Sequence, residues 1–143
     1  MKTLKTLLYL SLIVLITSCL EDTGSYVRTT DLVSITEVSI PDSAGVSDTI
    51  QILATAEANN GCWKDLHFRL DTFTSQNDSE TDTVNTEQYT LKAIGTYESE
   101  GTCPQVIVTA DTTMDVITSQ KGNYVFYTSR DSYTLQMDTV FVE

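Results

Sequence analysis

Positive charge is scarce in this chain, which carries 8 lysine and arginine residues against 20 aspartate and glutamate over 143 residues, a formal net charge of −12. A groove for nucleic acid needs a row of cations to release phosphate counterions, so nucleic acid is not an expected partner. Histidine is scarcer still, since His67 is the only one. With no second imidazole, no Cys-x-x-Cys pair and no Gly-x-Ser-x-Gly turn, neither a transition-metal site nor a nucleophilic triad is signalled. Carboxylates are plentiful, but chance pairs are expected among so many on a small domain, and their number does not argue for a glycosidase. The sequence therefore reads as a non-enzyme, with no cofactor and no metal.

Helical signals are also missing after residue 20. No segment there sustains apolar residues at spacings of three and four, whereas Thr, Val, Ile and Tyr recur in period-two runs that favour strands. Ile50, Ile52, Ala54 and Ala56 mark one run. Leu66, Phe68 and Leu70 mark a second whose other face, with Asp65, His67, Arg69 and Asp71, is wet. Further runs follow at Tyr89 to Tyr97, Val106 to Ala110, Tyr124 with Phe126, and Tyr133, Leu135, Met137, Thr139 and Phe141. Turn clusters separate them: Pro41-Asp42-Ser43-Ala44-Gly45, Asn59-Asn60-Gly61, Lys121-Gly122-Asn123 and Ser129-Arg130-Asp131-Ser132. Six to eight short strands so spaced predict an all-β fold, a single β-sandwich. Residues 74–88 are expected to form a long polar loop, and 110–122 a crossing loop or a half-buried helical turn. The order Gly122-Asn123-Tyr124-Val125-Phe126 and then a last strand resembles the closing strands of immunoglobulin-like sandwiches. Tyr124 is expected to be a core or cross-strand tyrosine, with a corner tyrosine as the second choice.

The N-terminus carries a different kind of signal. Lys2 and Lys5 precede a mostly apolar run over 7–16, which ends at Ile16-Thr17-Ser18-Cys19 and gives way to Glu21-Asp22. A run of about ten is of signal-peptide length, whereas a spanning helix needs about 20 apolar residues. The arrangement resembles a bacterial lipoprotein signal with its lipobox. That resemblance implies cleavage before Cys19, a diacylglycerol on its thiol and attachment to a membrane. Leu20-Glu21-Asp22 is similar to the acidic export signal of Bacteroidota surface lipoproteins, which implies the outer membrane, facing outward in preference to the periplasm. The expected organisation is a signal peptide over 1–18, lipidated Cys19 and a flexible tether over 19–31, and the β-sandwich over 32–143.

Three cysteines become an even pair once Cys19 is assigned to lipid. Cys62 and Cys103 are then expected to form a disulfide in an oxidising compartment, both standing where a loop enters a strand. Closing a loop of about 40 residues is worth about 4 kcal/mol in the chain-entropy model, a large share for a small domain. Trp63, beside Cys62, is a candidate for a binding platform with Tyr97 and Tyr127, against the simpler use of packing on the disulfide or sandwich edge. His67 reads as a surface histidine. Asp78, Glu80 and Asp82 lack the EF-hand spacing and read as a solvated acidic loop. Several Asp-Ser/Thr-apolar triplets resemble the acceptor of Bacteroidota O-glycosylation, with Ser43 and Thr83 the candidates in turns or loops. The function expected from all this is a membrane-anchored, non-catalytic binding module of the cell envelope with a protein or glycan partner. A structural subunit of an envelope assembly, lending an edge strand, is the alternative.

Overall fold

A computed structural model describes residues 25–73, 85–131 and 133–143. Eight strands follow one another: β1 (Val27–Ser39), β2 (Ser43–Ala44), β3 (Thr49–Ala58), β4 (Trp63–Phe73), β5 (Thr86–Ser99), β6 (Val108–Ile117), β7 (Gly122–Ser129) and β8 (Leu135–Val142). None of the described residues is helical. The expected signal peptide over 1–18, Cys19 and the first part of the expected tether lie outside the described residues.

The strands form one mixed sheet in the order β2-β8-β7-β5-β1-β3-β6, with β4 added on β5. Strand β5 organises it. From Gln88 to Tyr97 it pairs antiparallel with β4, so its other edge must serve both remaining neighbours. The first half of that edge takes β7 in parallel, Thr86↔Asn123 to Leu91↔Thr128. The second half takes β1 antiparallel, Val33↔Ala93 to Val27↔Ser99. Strands β7 and β1 therefore meet end to end along β5, and β1 must leave. From Ser34 it pairs with β3 instead, with a bulge between Ile35 and Glu37 that bends it across. The sheet curls on itself through this crossing strand, and β3 and β6 close the second layer.

Side-chain alternation fills the space between the layers. In β3 every second residue from Ile50 to Ala58 is buried, and in β5 Tyr89, Leu91 and Ala93 do the same from the facing layer. Tyr89 stacks on Phe126, ring centroids 5.0 Å apart. The small alanines of β3 leave room for these rings, as a close-packed interior requires. Gly122 opens β7 with φ +149°, where an added Cβ would lie 2.2 Å from the Asn85 carbonyl oxygen, so that position admits only glycine without a shift.

Tyr124 is both a core side chain and a corner. It is 1% exposed, yet its hydroxyl accepts from the Ser119 N–H at 3.0 Å and donates to the Gln120 carbonyl at 3.2 Å. The phenol thus ties the β6–β7 connection to the strand it enters. Thr128, further along the same inward face, is fully buried and its hydroxyl finds no partner among the described residues.

Three sequence expectations change. The stretch 110–122 is neither loop nor helical turn but strand as far as Ile117, because Ala110, Thr112, Met114 and Val116 turn inward beside β3. The tether expected to reach residue 31 gives way to β1 at Val27; residues 27–31 pair with β5 while their polar side chains stay exposed, so no hydropathy pattern marked them. An immunoglobulin domain stacks two antiparallel sheets. This sheet is continuous and contains two parallel pairings, β5 with β7 and β2 with β8.

The β3 register yields a paired test. Ile52 is fully buried and Leu53, its neighbour, is 48% exposed. Ile52→Ala is expected to lower unfolding free energy by about 2–5 kcal/mol, and Leu53→Ala by no more than about 0.5 kcal/mol, measured by chemical denaturation.

Candidate functional site

The disulfide sits at one end of the curled sheet. Cys62 and Cys103 are bonded, with a Cα–Cα distance of 5.3 Å and 41 residues of separation. Cys62 ends the β3–β4 turn, and Cys103 lies in the β5–β6 connection. Backbone bonds reinforce the junction: Gly61 N–H donates to the Pro104 carbonyl at 2.8 Å, and Glu98 N–H to the Cys62 carbonyl at 2.8 Å. The bridge therefore fastens two connections to the end of β5.

The aromatic residues do not converge. Trp63 and Tyr97 are cross-strand partners with centroids 5.6 Å apart in an edge-to-face arrangement. They share the inward-facing parity of β5, and the indole lies over Gly95, where an added Cβ would come within 3.0 Å of it. Trp63 packs against the core cluster, and the Tyr97 hydroxyl lies 3.1 Å from Cys103 Sγ. Tyr127 pairs with Thr90 on the outward parity, seven residues along β5 from Tyr97, or about 23 Å at strand rise. A single platform of these three is thus not formed: its members occupy opposite faces.

The remaining candidates are dispersed. Ser43 is exposed, but in β2 beside Phe141, not in a turn; Thr83, Asp78, Glu80 and Asp82 lie outside the described residues. His67 is exposed on the outer face of β4, with Nδ1 2.8 Å from the Asp65 carbonyl oxygen. Nearby, Arg69 and Lys92 flank Asp71 at 2.6 and 3.4 Å, while Lys64 and Arg28 flank Glu98 at 2.8 and 3.2 Å. The Arg69 guanidinium holds the Asp71 carboxyl below its usual range, and Lys64 does the same for Glu98. Four cations are thereby committed to two carboxylates on β1, β4 and β5. Among the described residues no three His, Cys, Asp or Glu side chains gather into a metal-binding group, and no helix is long and apolar enough to cross a membrane. A shallow depression of about 780 Å³ lies over the outer face of β1, β3 and β6, with Glu37, Leu53, Thr55, Asp111 and Arg130 in its lining and no aromatic ring.

What distinguishes this surface is how its strand edges are treated. Unpaired backbone N–H and C=O groups along an edge invite another strand, and proteins guard them with charges, bulges or cover. Strand β4 has a bulge between Lys64 and His67, with Asp65 at φ +53°, and four charged residues along its length. Strand β6 carries Asp111 and Asp115. The free edge of β1, beyond its departure from β5, is covered by one side chain: Arg130 Nη1 donates to the carbonyls of Ile35 at 3.0 Å and Thr36 at 2.7 Å. Its other nitrogens donate to Gln136 Oε1, and Gln136 Nε2 donates in turn to Asp138.

Strand β8 is the least guarded: it carries a single charge, Asp138, which points inward. The two residues of β2 pair only with Phe141 and Val142, leaving Leu135 to Val140 with β7 on one side and, among the described residues, no strand on the other. The amides of Phe141 and Glu143 donate toward the β2 side, to Asp42 and Ala44. By period two, the N–H and C=O groups of Leu135, Met137 and Thr139 point to the same free edge. Leu135 and Met137 are each 62% exposed, and Phe141 55%. The alternation of Tyr133, Leu135, Met137, Thr139 and Phe141 thus lies outward. Inward stand Gln136 and Asp138, then Val140 and Val142. Compared with protein-family models, curated proteins and solved structures, the chain matches none.

Sequence reasoning missed Arg130 and the exposed character of β8. The available signals were an isolated arginine in an acidic chain and the polar pair Gln136 and Asp138, opposite in parity to the apolar run. Arg130→Ala is expected to lower stability by about 1–3 kcal/mol by leaving two carbonyls and Gln136 without their charged donor. Arg130→Lys should not restore it fully, because an ammonium cannot reproduce the planar fork.

Asp131 turns β7 toward β8 by accepting the N–H groups of Tyr133 and Thr134 at 2.7 and 2.8 Å, and these donors hold its carboxyl below the usual range. A carboxylate with a depressed folded-state pKa contributes stability above its unfolded value and loses it as pH falls through the folded value. Wild type is therefore expected to exceed Asp131→Ala in denaturant midpoint at pH 7. The difference should shrink below about pH 4, the ordinary carboxylate value.

Proposed function

We propose that this protein is a lipid-anchored, non-catalytic protein-binding subunit of the bacterial cell envelope that takes its partner by strand addition at β8. The observation that carries the reading is the open β8 edge, apolar on its outer side and with Asp138 as its one charge, beside three edges that are bulged, more heavily charged or covered. Strand addition derives affinity from main-chain hydrogen bonds and specificity from alternate side chains, and β8 offers both. Anchoring through Cys19, in the outer membrane and facing outward, rests on the lipobox and the acidic residues behind it. The tyrosine corner at Tyr124 and the β7–β8 hairpin support an immunoglobulin-like comparison for the last third of the domain. Glycan capture is the weaker choice, because Trp63 and Tyr97 pack inward and Tyr127 stands on the other face.

In-cell photocrosslinking tests the reading. A photoreactive residue at Met137 is expected to give a discrete adduct with an envelope protein, whereas one at Asp115 on the β6 edge gives none. Equal labelling at both positions, or none at Met137, contradicts it.

A further inference from the structure

An added strand at β8 has two sides, and they meet different chemistry. On the outer side its side chains lie next to Leu135, Met137 and, one strand further, Tyr127, with no charged residue among them. On the inner side they meet Gln136 and Asp138. Asp131 stands at one end of the edge, and Asp42 and Glu143 at the other. Of the cations nearby, Arg130 is committed to β1 and Gln136, and Lys121 stands at the Glu143 end only, next to Gly122, which pairs with Val142; Arg28, Lys64, Arg69 and Lys92 are committed to Glu98 and Asp71 on other strands.

Building on the strand-addition reading, we infer that the partner is a cationic extended segment, apolar at alternate positions, with lysine or arginine between. The apolar residues cover Leu135 and Met137, and the cations reach Asp138 and the terminal carboxylates. A second copy of this chain does not fit that description, since its own β8 offers no cation and it is itself strongly acidic. The length of the site is also set. Pro41, just ahead of β2, has no N–H to extend the ladder, and β2 occupies the edge from Phe141 onward. The open row from Leu135 to Thr139 spans about 17 Å, enough for five residues of partner.

The test uses the full-length protein and three synthetic heptapeptides with blocked ends. One alternates valine with lysine, the second alternates valine with glutamate, and the third is the lysine peptide N-methylated at alternate backbone nitrogens. Fluorescence anisotropy measures affinity, and amide hydrogen exchange locates binding. The lysine peptide is expected to bind at least about tenfold more tightly than the glutamate peptide, and to slow exchange at Leu135, Met137 and Thr139. N-methylation should weaken it about tenfold or more by removing ladder donors. Equal binding of the lysine and N-methylated peptides would reduce the contact to diffuse charge and overturn the inference. So would equal binding of the glutamate peptide, or self-association that protects the same three amides without peptide. A Met137 crosslink in cells with no peptide binding would overturn this partner chemistry and leave the protein-contact reading standing. Peptide binding with no crosslink would do the reverse.

Discussion

Main-chain donors and acceptors at the rim of a sheet must find partners, and the way this chain satisfies them governs the rest of its structure. A sheet that closes into a full barrel has no rim. This one curls without closing, because β5 offers a single edge to two strands and forces β1 to cross to the second layer. The crossing joins the layers and also strands a row of β1 carbonyls. Arg130 takes two of them, and through Gln136 and Asp138 it turns the inner side of β8 polar at that end. The apolar residues of β8 are left on the outside.

Stability and contact are placed at opposite ends of the same strands. The disulfide, Trp63 over Gly95 and the Pro104 contacts hold the end of β5 where β1 begins. The Arg130 junction holds its middle, where the buried Thr128 hydroxyl has no partner among the described residues. The outer face of β7 and β8 is not needed for the core: Leu135, Met137 and Phe141 remain more than half exposed while Val140 and Val142 fill the interior. A surface free of structural duty can be given over to a partner.

Much of the fold was legible because burial on one face of a strand leaves a period of two. The run from Ile50 to Ala56 and that from Tyr89 to Ala93 read directly as core, and the cysteine pair followed from counting. Other features left no such trace. Residues 27–31 are strand by backbone pairing alone, and 110–117 alternate threonine and aspartate with small or flexible residues, so hydropathy is nearly flat there. Parallel pairing of β5 with β7 is a long-range choice that no local pattern encodes. At β8 the alternation was plain but its direction was not. A period of two locates two faces without saying which one is wet, and here Val140 and Val142 decide the matter against the larger apolar residues. The candidate platform failed for the same reason, since Tyr97 and Tyr127 belong to opposite parities.

The central claim is that β8 offers a row of main-chain groups with no strand partner among the described residues. Amide hydrogen exchange of the isolated full-length chain at neutral pH measures this residue by residue. The account predicts an alternating pattern along β8: slow exchange at Gln136, Asp138 and Val140, whose amides pair with β7, and fast exchange at Leu135, Met137 and Thr139. Uniform protection across all six would mean that the edge is already covered, and would contradict the account.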